Sequence, residues 1–289
     1  MNIYIIIVNF NFYEFTKQCI DSIIKAGFDL EHIIVVDNNS SNNSAEVLTQ
    51  CWQNIILIRS RENNGFAAGN NIGIKYALEH NAEAVILLNN DTIIDKNLIN
   101  ELIINSEPNT ISVPRMYYFD RPETIWYAGG RIDWLRGNPK HIGVDKIDCR
   151  KYSNQIYVDF ATGCCMLIPI PVLLKCGLLD ESYFMYCEDT DYSLLMHRHG
   201  LRIKYVPTAK LWHRVGGTSG SNGALTVYYS NRNRFFFLKK YKFSNVAWIY
   251  TLLSRTIKYL CGCIRDDSNK YILKAWLDFR SGVRGKVEL

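Results

Sequence analysis

The chain has 289 residues, of which 48% are hydrophobic and 21% are charged, so it can bury a core and is not a disordered chain. Its length suits one large α/β domain, or one domain with a helical appendage. The formal net charge of +5 allows an anionic substrate or membrane surface and does not predict a nucleic-acid partner. The nine cysteines show no disulfide framework or zinc spacing, and no signal peptide is recognised, so reduced thiols and a cytoplasmic location are expected.

The first hundred residues alternate short apolar runs with segments of helical periodicity. Ile3 to Val8 predicts a buried strand, and Phe12 to Ala26 carries an apolar stripe at helical spacing. Apolar strands separated by helices predict a parallel sheet covered on both faces, with ligands at the carboxyl ends of the strands. The further elements predicted in this part are strands over 33–36, 55–58 and 84–88 and helices over 43–52, 69–80 and 95–104.

The rest of the chain is less regular. Pro and Gly residues punctuate 111–168 and predict hairpins and long loops. Residues 169–176 and 189–199 have helical spacing, and 203–206 predicts one more strand. The last sixty residues combine aromatic and basic residues with an apolar segment from Trp248 to Cys263, which predicts a helical C-terminal extension.

Two predicted strand ends carry polar side chains. Asp37-Asn38-Asn39-Ser40 would form either a turn with a helix cap or a carboxylate site for a ribose or base. Asn89-Asn90-Asp91 would either cap a helix or hold a hard divalent cation on a diphosphate. Both alternatives stay open for each segment.

A segment rich in Asn and Gly runs from Asn63 to Gly73 before the third predicted helix. It is neither G-x-G-x-x-G nor a P-loop, which disfavours a dinucleotide or ATP site. Glycine permits close backbone approach and a helix N-terminus attracts phosphate, so a ligand-binding loop is favoured over a purely structural one.

Three carboxylates, Glu188, Asp189 and Asp191, fall within four residues at a predicted helix start. They would either complement the helix dipole or form a general base, because crowded like charges raise at least one pKa. His213 follows the last predicted strand and precedes Gly216-Gly217. A lone histidine is more often structural than a metal ligand, but a position between a strand and a glycine loop suits a metal ligand, so both interpretations stay open.

Taken in order, these segments resemble the family 2 glycosyltransferases of the GT-A fold, and most of all the bacterial rhamnosyltransferase-type enzymes of cell-surface polysaccharide synthesis. Val8-Asn9-Phe10 stands where the family opens its first strand. Asp37-Asn38-Asn39-Ser40 resembles the segment that contacts the nucleoside. The donor loop of rhamnosyltransferase-like members is matched by Asn63, Gly65, Phe66, Ala67, Gly69, Asn71 and Gly73.

The resemblance implies roles for the matching residues. Asp37 would bind the nucleobase, and Asp91 would hold Mg²⁺ or Mn²⁺ on the donor diphosphate in a DxD-type motif. Asn89 stands where that motif has an acid, and His213 matches a histidine that completes the metal site in some relatives. Besides Asp37, the residues assigned to the donor are Val8, Asn9, Asn38, Asn63, Gly65, Phe66, Gly69, Asn71, Asn90 and Arg232.

Glu188-Asp189-x-Asp191 resembles the family's ED-type motif, whose second residue is usually the base. Asp189 would therefore deprotonate the acceptor, and Glu188 and Asp191 would orient it or contact sugar hydroxyls. Two further segments also resemble family elements: Ala161-Thr162-Gly163 on the acceptor side, and the later Tyr228-Tyr229-x-x-Arg232-Asn233.

The resemblance implies a mostly parallel GT-A sheet flanked by helices. A catalytic domain would span 1–225, with a nucleotide-sugar half over about 1–110 and an acceptor half over about 111–225, and a helical extension would span 226–289. The implied reaction is an inverting transfer from dTDP-rhamnose or a UDP-hexose to a hydroxyl of a glycan or lipid-linked glycan, as in O-antigen or capsule synthesis.

Several alternatives remain open. The chain could bind a nucleotide-sugar without turnover, or be a nucleotidyltransferase of similar fold, although residues 1–30 lack a glycine- and basic-rich triphosphate signature. The C-terminal extension could contact the inner face of the cytoplasmic membrane, pack on the catalytic domain or form a homodimer.

Overall fold

The structure is a computed structural model that describes residues 1–154, 156–216, 223–262 and 270–289. Gly217 of the Gly pair and Cys263 at the end of the apolar segment lie outside these ranges. In chain order, the strands are β1 (Ile3–Asn9), β2 (Ile33–Asp37), β3 (Ile56–Arg59), β4 (Ala84–Leu88), β5 (Thr92–Ile94), β6 (Thr110–Tyr118), β7 (Thr124–Tyr127), β8 (Gly130–Asp133), β9 (Asn138–His141), β10 (Lys146–Ile147), β11 (Tyr157–Val158), β12 (Cys165–Pro169) and β13 (Arg202–His213). The α-helices are α1 (Tyr13–Lys25), α2 (Ser44–Cys51), α3 (Gly65–Glu79), α4 (Leu98–Ile104), α5 (Ile170–Cys176), α6 (Glu188–Arg198), α7 (Ala224–Lys240), α8 (Asn245–Gly262) and α9 (Lys270–Arg280).

The N-terminal half forms the predicted parallel sheet. Strands β3, β2, β1 and β4 lie side by side in that order, and each neighbouring pair is parallel. The residues of β2 and β4 are buried on both faces because helices cover the sheet, whereas Ile56 and Ile58 of the edge strand β3 are half-buried. The register pairs Asn9 with Asp37, so the polar ends of β1 and β2 lie at the same edge.

The second half adds antiparallel and mixed pairings to the same sheet. Strand β12 lies antiparallel between β4 and β6, and β13 runs parallel to β6. Strand β13 extends to His213, well beyond the predicted 203–206. The prediction was too short because apolar and polar residues alternate in a half-buried strand, so no continuous apolar run marks it. Strand β5 was not predicted, since the preceding Asn89-Asn90-Asp91 was interpreted as a helix cap or a cation site. It pairs antiparallel with the end of β13, and α4 starts at Leu98 instead of residue 95.

The Asn- and Gly-rich segment is mostly helical, which corrects the expected loop before a helix at residue 69. Its glycines serve close packing on the sheet. A Cβ atom at Gly69 would lie 2.8 Å from a methyl carbon of Val8, and one at Gly73 would lie 2.5 Å from Ile6. The side chain of Asn71 bonds the backbone of Leu179, which joins α3 to the chain before α6.

The C-terminal extension consists of helices, as expected, that share an aromatic core. The ring of Phe235 on α7 lies 6.1 Å from Trp248 on α8 and 4.9 Å from Trp276 on α9, measured between ring centroids. Helix α7 is buried from Val227 to Leu238 except at Ser230, and its Asn233 bonds the Tyr183 carbonyl, so the extension packs on the preceding part of the chain. Within the described ranges, none of the helices has the length and apolarity to cross a bilayer.

Candidate active site

Two adjoining cavities open where β1, β2 and β4 end. The first has a volume of about 230 Å³ and the second about 450 Å³, and both are lined by Phe66, Asn89 and Met185. Six of the residues predicted to bind the donor line the first cavity: Val8, Asn38, Asn63, Gly65, Phe66 and Asn90. The predicted metal and base residues line the second cavity: Asp91, His213, Glu188 and Asp189.

A buried polar network joins the strand ends beneath the first cavity. The Asn9 amide donates to the Asp37 carboxylate at 2.9 Å, and the Thr16 hydroxyl donates to the Asn9 carbonyl oxygen at 2.8 Å. The Asn90 amide donates to Thr16 at 3.1 Å. Asp37 also accepts from the backbone and hydroxyl of Ser40, so its carboxylate is already occupied by protein donors. Asn9 and Asp37 lie outside the lining of both cavities.

Asn38 has a free acceptor at the first cavity. Its amide nitrogen donates to the Asn63 side chain and to the Gly65 carbonyl, each at 3.0 Å. Its side-chain oxygen is buried and has no hydrogen-bond partner among the described residues. A buried unpaired acceptor is costly unless a ligand or water satisfies it, so Asn38 is the strongest indication of a ligand here.

Asp91 and His213 lie next to each other in the wall of the second cavity. Asp91 Oδ1 lies 3.1 Å from His213 Nε2, and both side chains are buried. The approach lacks hydrogen-bond geometry, since Asp91 Oδ1 has no hydrogen-bond partner within the described chain. The pairing of β5 with β13 sets this arrangement, because it places His213 beside Thr92 and lets the Arg214 N–H donate to the Asp91 carbonyl at 2.9 Å.

This pair fits a divalent cation that is shared with a substrate. An imidazole nitrogen and a carboxylate oxygen that converge without forming a hydrogen bond are suitable ligands for Mn²⁺ or Mg²⁺. Among the described residues there is no group of three or more His, Cys, Asp or Glu that could hold a metal. The remaining ligands would therefore be oxygens of a diphosphate and water.

Glu188 and Asp189 open helix α6 at the other wall of the second cavity. Glu188 is buried, and its Oε2 has no hydrogen-bond partner in the described ranges. Burial, followed by the charge of Asp189, raises the pKa of Glu188 above its ordinary value. Burial also raises the pKa of Asp189, while N–H groups of Gly163 at 3.0 Å and Thr190 at 2.6 Å oppose that rise. Raised carboxyl pKa values are typical of acid–base sites.

Besides Asn9 and Asp37, four predicted site residues lie outside the lining of both cavities. Asp191 accepts from the Tyr183 hydroxyl at 2.9 Å and from Lys240 at 2.8 Å. Arg232 is fully buried and donates to the Gly285 carbonyl at 2.9 Å. Gly69 and Asn71 serve the packing of α3 described above. In this structure these four hold the fold around the cleft.

The loop before α6 carries strain that sequence reasoning missed. Phe184, Tyr186 and Cys187 have φ angles of 66°, 66° and 77°, in the left-handed region that such side chains avoid. A Cβ atom at Gly65 would lie 1.9 Å from the Phe184 carbonyl oxygen, so only glycine fits against this loop. The loop therefore positions Glu188 and Asp189 at the cleft in a strained conformation that its surroundings must hold in place.

Asn233 on α7 holds this loop. Its amide nitrogen lies 2.8 Å from the carbonyl oxygens of Tyr183 and Met185 and 2.9 Å from that of Tyr186. Asn233 belongs to the Tyr228 to Asn233 element that resembles a family element. The prediction assigned a donor-binding role to Arg232 of this element and none to Asn233. The sequence shows only an Asn beside an Arg among aromatic residues, and the burial of Asn233 becomes visible in the structure alone.

Trp126 and His141 also line the second cavity and were not predicted. The Trp126 ring lies 4.4 Å from that of His213 and 4.7 Å from that of His141, between centroids. Burial lowers the pKa of His141 to about 4, so its ring is neutral near pH 7. Aromatic rings and two carboxylates that line the same cavity suit a sugar, whose apolar face packs on a ring.

Comparison with known proteins shows the family to which the chain belongs. The model of Glycosyl transferase family 2 matches residues 4–168. The low-salt glycan biosynthesis hexosyltransferase Agl10 of Haloferax volcanii is 30% identical over 245 residues, which is 80% of this chain and 73% of that protein. The dTDP-rhamnosyl transferase RfbF of Shigella flexneri is 24% identical over 268 residues, covering 88% of this chain and 86% of that one.

A solved structure of GalNAc-T7 with UDP, GalNAc and Mn²⁺ superposes with a TM-score of 0.63 at 16% identity. The match covers 83% of this chain and 48% of that protein, so this chain corresponds to about half of it. The fold is thus the GT-A glycosyltransferase fold, as the resemblance implied. The chain belongs to glycosyl transferase family 2 and is a glycosyltransferase.

Proposed function

We propose that this chain is an inverting, metal-dependent transferase that uses a nucleoside-diphosphate sugar. The observation that carries the proposal is the second cavity, where Glu188 and Asp189 face the Asp91–His213 pair. Glu188 and Asp189 offer a base, and the Asp91–His213 pair offers ligands for a cation. The first cavity adjoins the second at Phe66, which lines both. These are the parts that a single displacement at an anomeric carbon needs.

The donor would lie across both cavities. The unpaired Asn38 oxygen would accept a hydrogen bond from the nucleoside, and the diphosphate would lie beside Asp91 and His213. A bound Mg²⁺ or Mn²⁺ would offset the charge that develops on the leaving diphosphate. Asn9, Asp37 and Asn90 would act by fixing the strand ends beneath the nucleoside.

Asp189 is the proposed base because it lines the cavity and is fixed by Gly163 and Thr190. The acceptor hydroxyl gives its proton to the Asp189 carboxylate, and its oxygen forms a bond to the anomeric carbon. The bond from that carbon to the diphosphate oxygen breaks on the opposite face, and the electron pair leaves with the diphosphate. One displacement inverts the configuration, without the paired carboxylates of a glycoside hydrolase.

The donor we propose first is dTDP-rhamnose, with a UDP-hexose as the alternative. The first is supported by the donor-loop resemblance and by a relative named as a dTDP-rhamnosyl transferase, and the second by a hexosyltransferase relative. The proposed acceptor is a glycan or lipid-linked glycan in surface polysaccharide synthesis at the inner face of the cytoplasmic membrane. We assign the donor to residues 1–110 and the acceptor to 111–225.

A thermal-shift panel tests the donor site. Nucleoside diphosphates and nucleotide-sugars, dTDP-rhamnose and UDP-glucose among them, are added with and without Mn²⁺. We expect stabilisation by one nucleotide series that increases with Mn²⁺, because ligands that bind only the folded state raise its stability. Failure of every nucleotide to stabilise the protein would overturn the donor site. Binding without turnover of any donor would instead indicate a non-catalytic relative.

A further inference from the structure

Helix α8 exposes an apolar stripe along its length. Its members recur at intervals of three or four residues, which is the spacing of one helical face. Their exposed fractions lie between 49% and 60%, so the side chains stand largely in solvent. The stripe consists of Val246, Ile249, Leu253, Ile257 and Leu260.

The opposite face of α8 is packed against the protein. Ala247 and Thr251 are fully buried, and the ring of Trp248 lies 6.1 Å from Phe235 and 5.9 Å from Phe279, between centroids. The helix is therefore anchored by one face and presents its apolar stripe outward. A continuous exposed apolar patch on an anchored helix marks an interaction surface.

The positive charge around α8 favours an anionic partner for the stripe. Residues 239–289 contain 11 of the 33 Lys and Arg residues but only 4 of the 28 Asp and Glu residues. The first 238 residues thus hold more acidic than basic side chains, and the positive excess lies in the extension. Exposed cations in the described part of the extension include Lys258, Lys270, Arg280 and Lys286. Two copies of such a basic surface would repel each other, whereas an anionic lipid surface would attract it.

We propose that α8 lies in the plane of an anionic bilayer surface, with its apolar stripe in the boundary between headgroups and acyl chains. Basic residues beside the stripe would contact lipid phosphates. Helix α7 begins at the cleft, where Leu225 and Thr226 line the two cavities, and leads directly to α8. If the proposed function holds, this docking brings the cleft to a membrane-borne acceptor.

Vesicle flotation of the full chain tests the proposal. The vesicles contain equal amounts of phosphatidylglycerol and phosphatidylcholine, or phosphatidylcholine alone. We compare wild type with the triple variant Ile249→Ser, Leu253→Ser, Ile257→Ser. The matched control is Ile104→Ser, Leu174→Ser, which removes two residues of the catalytic domain that are each 77% exposed. Because all these side chains are exposed, the variants should keep the wild-type melting temperature.

We expect wild type and the control to float with anionic vesicles, and the triple variant to bind at least about tenfold less. High salt should weaken the binding. Wild type that fails to float with anionic vesicles would overturn the proposal. So would self-association of wild type that the triple variant abolishes, since a second copy would then cover the stripe. The experiment needs no sugar donor, so its failure is distinct from failure of the transferase proposal.

Discussion

The nucleotide side and the base side of the cleft differ in how the backbone is held. At the nucleotide side, left-handed backbone occurs at Asn11 and Asn39, a residue type that adopts it readily. At the base side it falls on Phe184, Tyr186 and Cys187, which resist it. The first is fixed by bonds among strand ends, and the second needs Asn233 from the C-terminal extension.

This difference suggests that the two sides can be perturbed separately. The backbone at the strand ends of a parallel sheet should stay in place when one side chain is changed. Substitutions there should therefore alter binding of the donor and leave the rate of the chemical step little changed. A strained loop held by one amide can relax when that amide is lost, so substitutions there should alter the rate of the chemical step. The predictions below test this division, starting with the largest effect.

Asp91→Asn removes the charge of the proposed cation ligand, which would serve both donor binding and the chemical step. We expect transfer to fall by about two to three orders of magnitude, because the ligand of the proposed cation loses its charge. The stabilisation of nucleotide binding by Mn²⁺ should disappear as well, as measured by calorimetry. The control is Asp120→Asn, an exposed carboxylate. Mn²⁺-dependent binding that persists unchanged in Asp91→Asn would refute the metal assignment.

Asn233→Ala acts mainly on the base side, although Met185 of the released loop also lines the nucleotide cavity. We expect kcat to fall on the order of tenfold or more with a smaller change in the donor KM, because Asp189 loses its position while the strand ends at the nucleotide cavity keep their hydrogen bonds. Unpaired carbonyls of the loop should lower the free energy of unfolding by about 1–3 kcal/mol. Steady-state kinetics and urea unfolding measure the two effects.

Asn231→Ala is the matched control for Asn233→Ala. Asn231 lies on the same helix and is equally buried, but its amide donates to Val227 within that helix. We expect its kcat to stay near the wild-type value. An Asn233→Ala variant whose donor KM rises while kcat is unchanged would contradict the division between the two sides.

Asn38→Ala breaks the nucleotide side alone. One hydrogen bond to the nucleoside is lost, so the donor KM should rise by up to about tenfold with kcat little changed. The control is Asn105→Ala, whose amide bonds only its own helix. A fall in kcat equal to the fall in kcat/KM would show that Asn38 acts in the chemical step instead.

Glu188→Gln changes the pH dependence of stability. The pKa of Glu188 is raised in the folded protein, so between its ordinary value and the raised one the folded state binds more protons than the unfolded state. This contribution to stability is present at low pH and is lost as pH rises through that window, by at most about 1.4 kcal/mol per pH unit. The variant should therefore lose less stability than wild type on going from pH 5 to pH 8 in urea titrations. Parallel curves for the two proteins would contradict the burial of this carboxyl.

The sequence predicts the parallel half well because its signals are local. Buried β-branched runs and polar strand ends each lie within ten residues, and the sheet brings them to one edge. The cavity linings place Asn38, Asp91, His213, Glu188 and Asp189 together as the resemblance implied, although their roles stay predictions.

The Asp91–His213 pair and the base side depend on long-range contacts that no local pattern reveals. Strand β5 has three residues, and its partner in β13 comes more than a hundred residues later. The contacts of Asn233 span about fifty residues and end on backbone carbonyls, which carry no sequence signal. The segment from Asn63 to Gly73 was predicted as a loop up to residue 69, but α3 begins at Gly65. The loop prediction was wrong because glycines of this segment serve helix packing as well as the cavity.

The most direct test is sugar transfer by Asp189→Asn, with the donor that the thermal-shift panel selects. Nucleotide binding is measured by calorimetry, and the anomeric configuration of the wild-type product by NMR. The account predicts binding as in wild type, a loss of transfer of at least about a hundredfold, and an inverted product. Wild-type transfer rates in Asp189→Asn, or a product that retains the donor's configuration, would contradict the account.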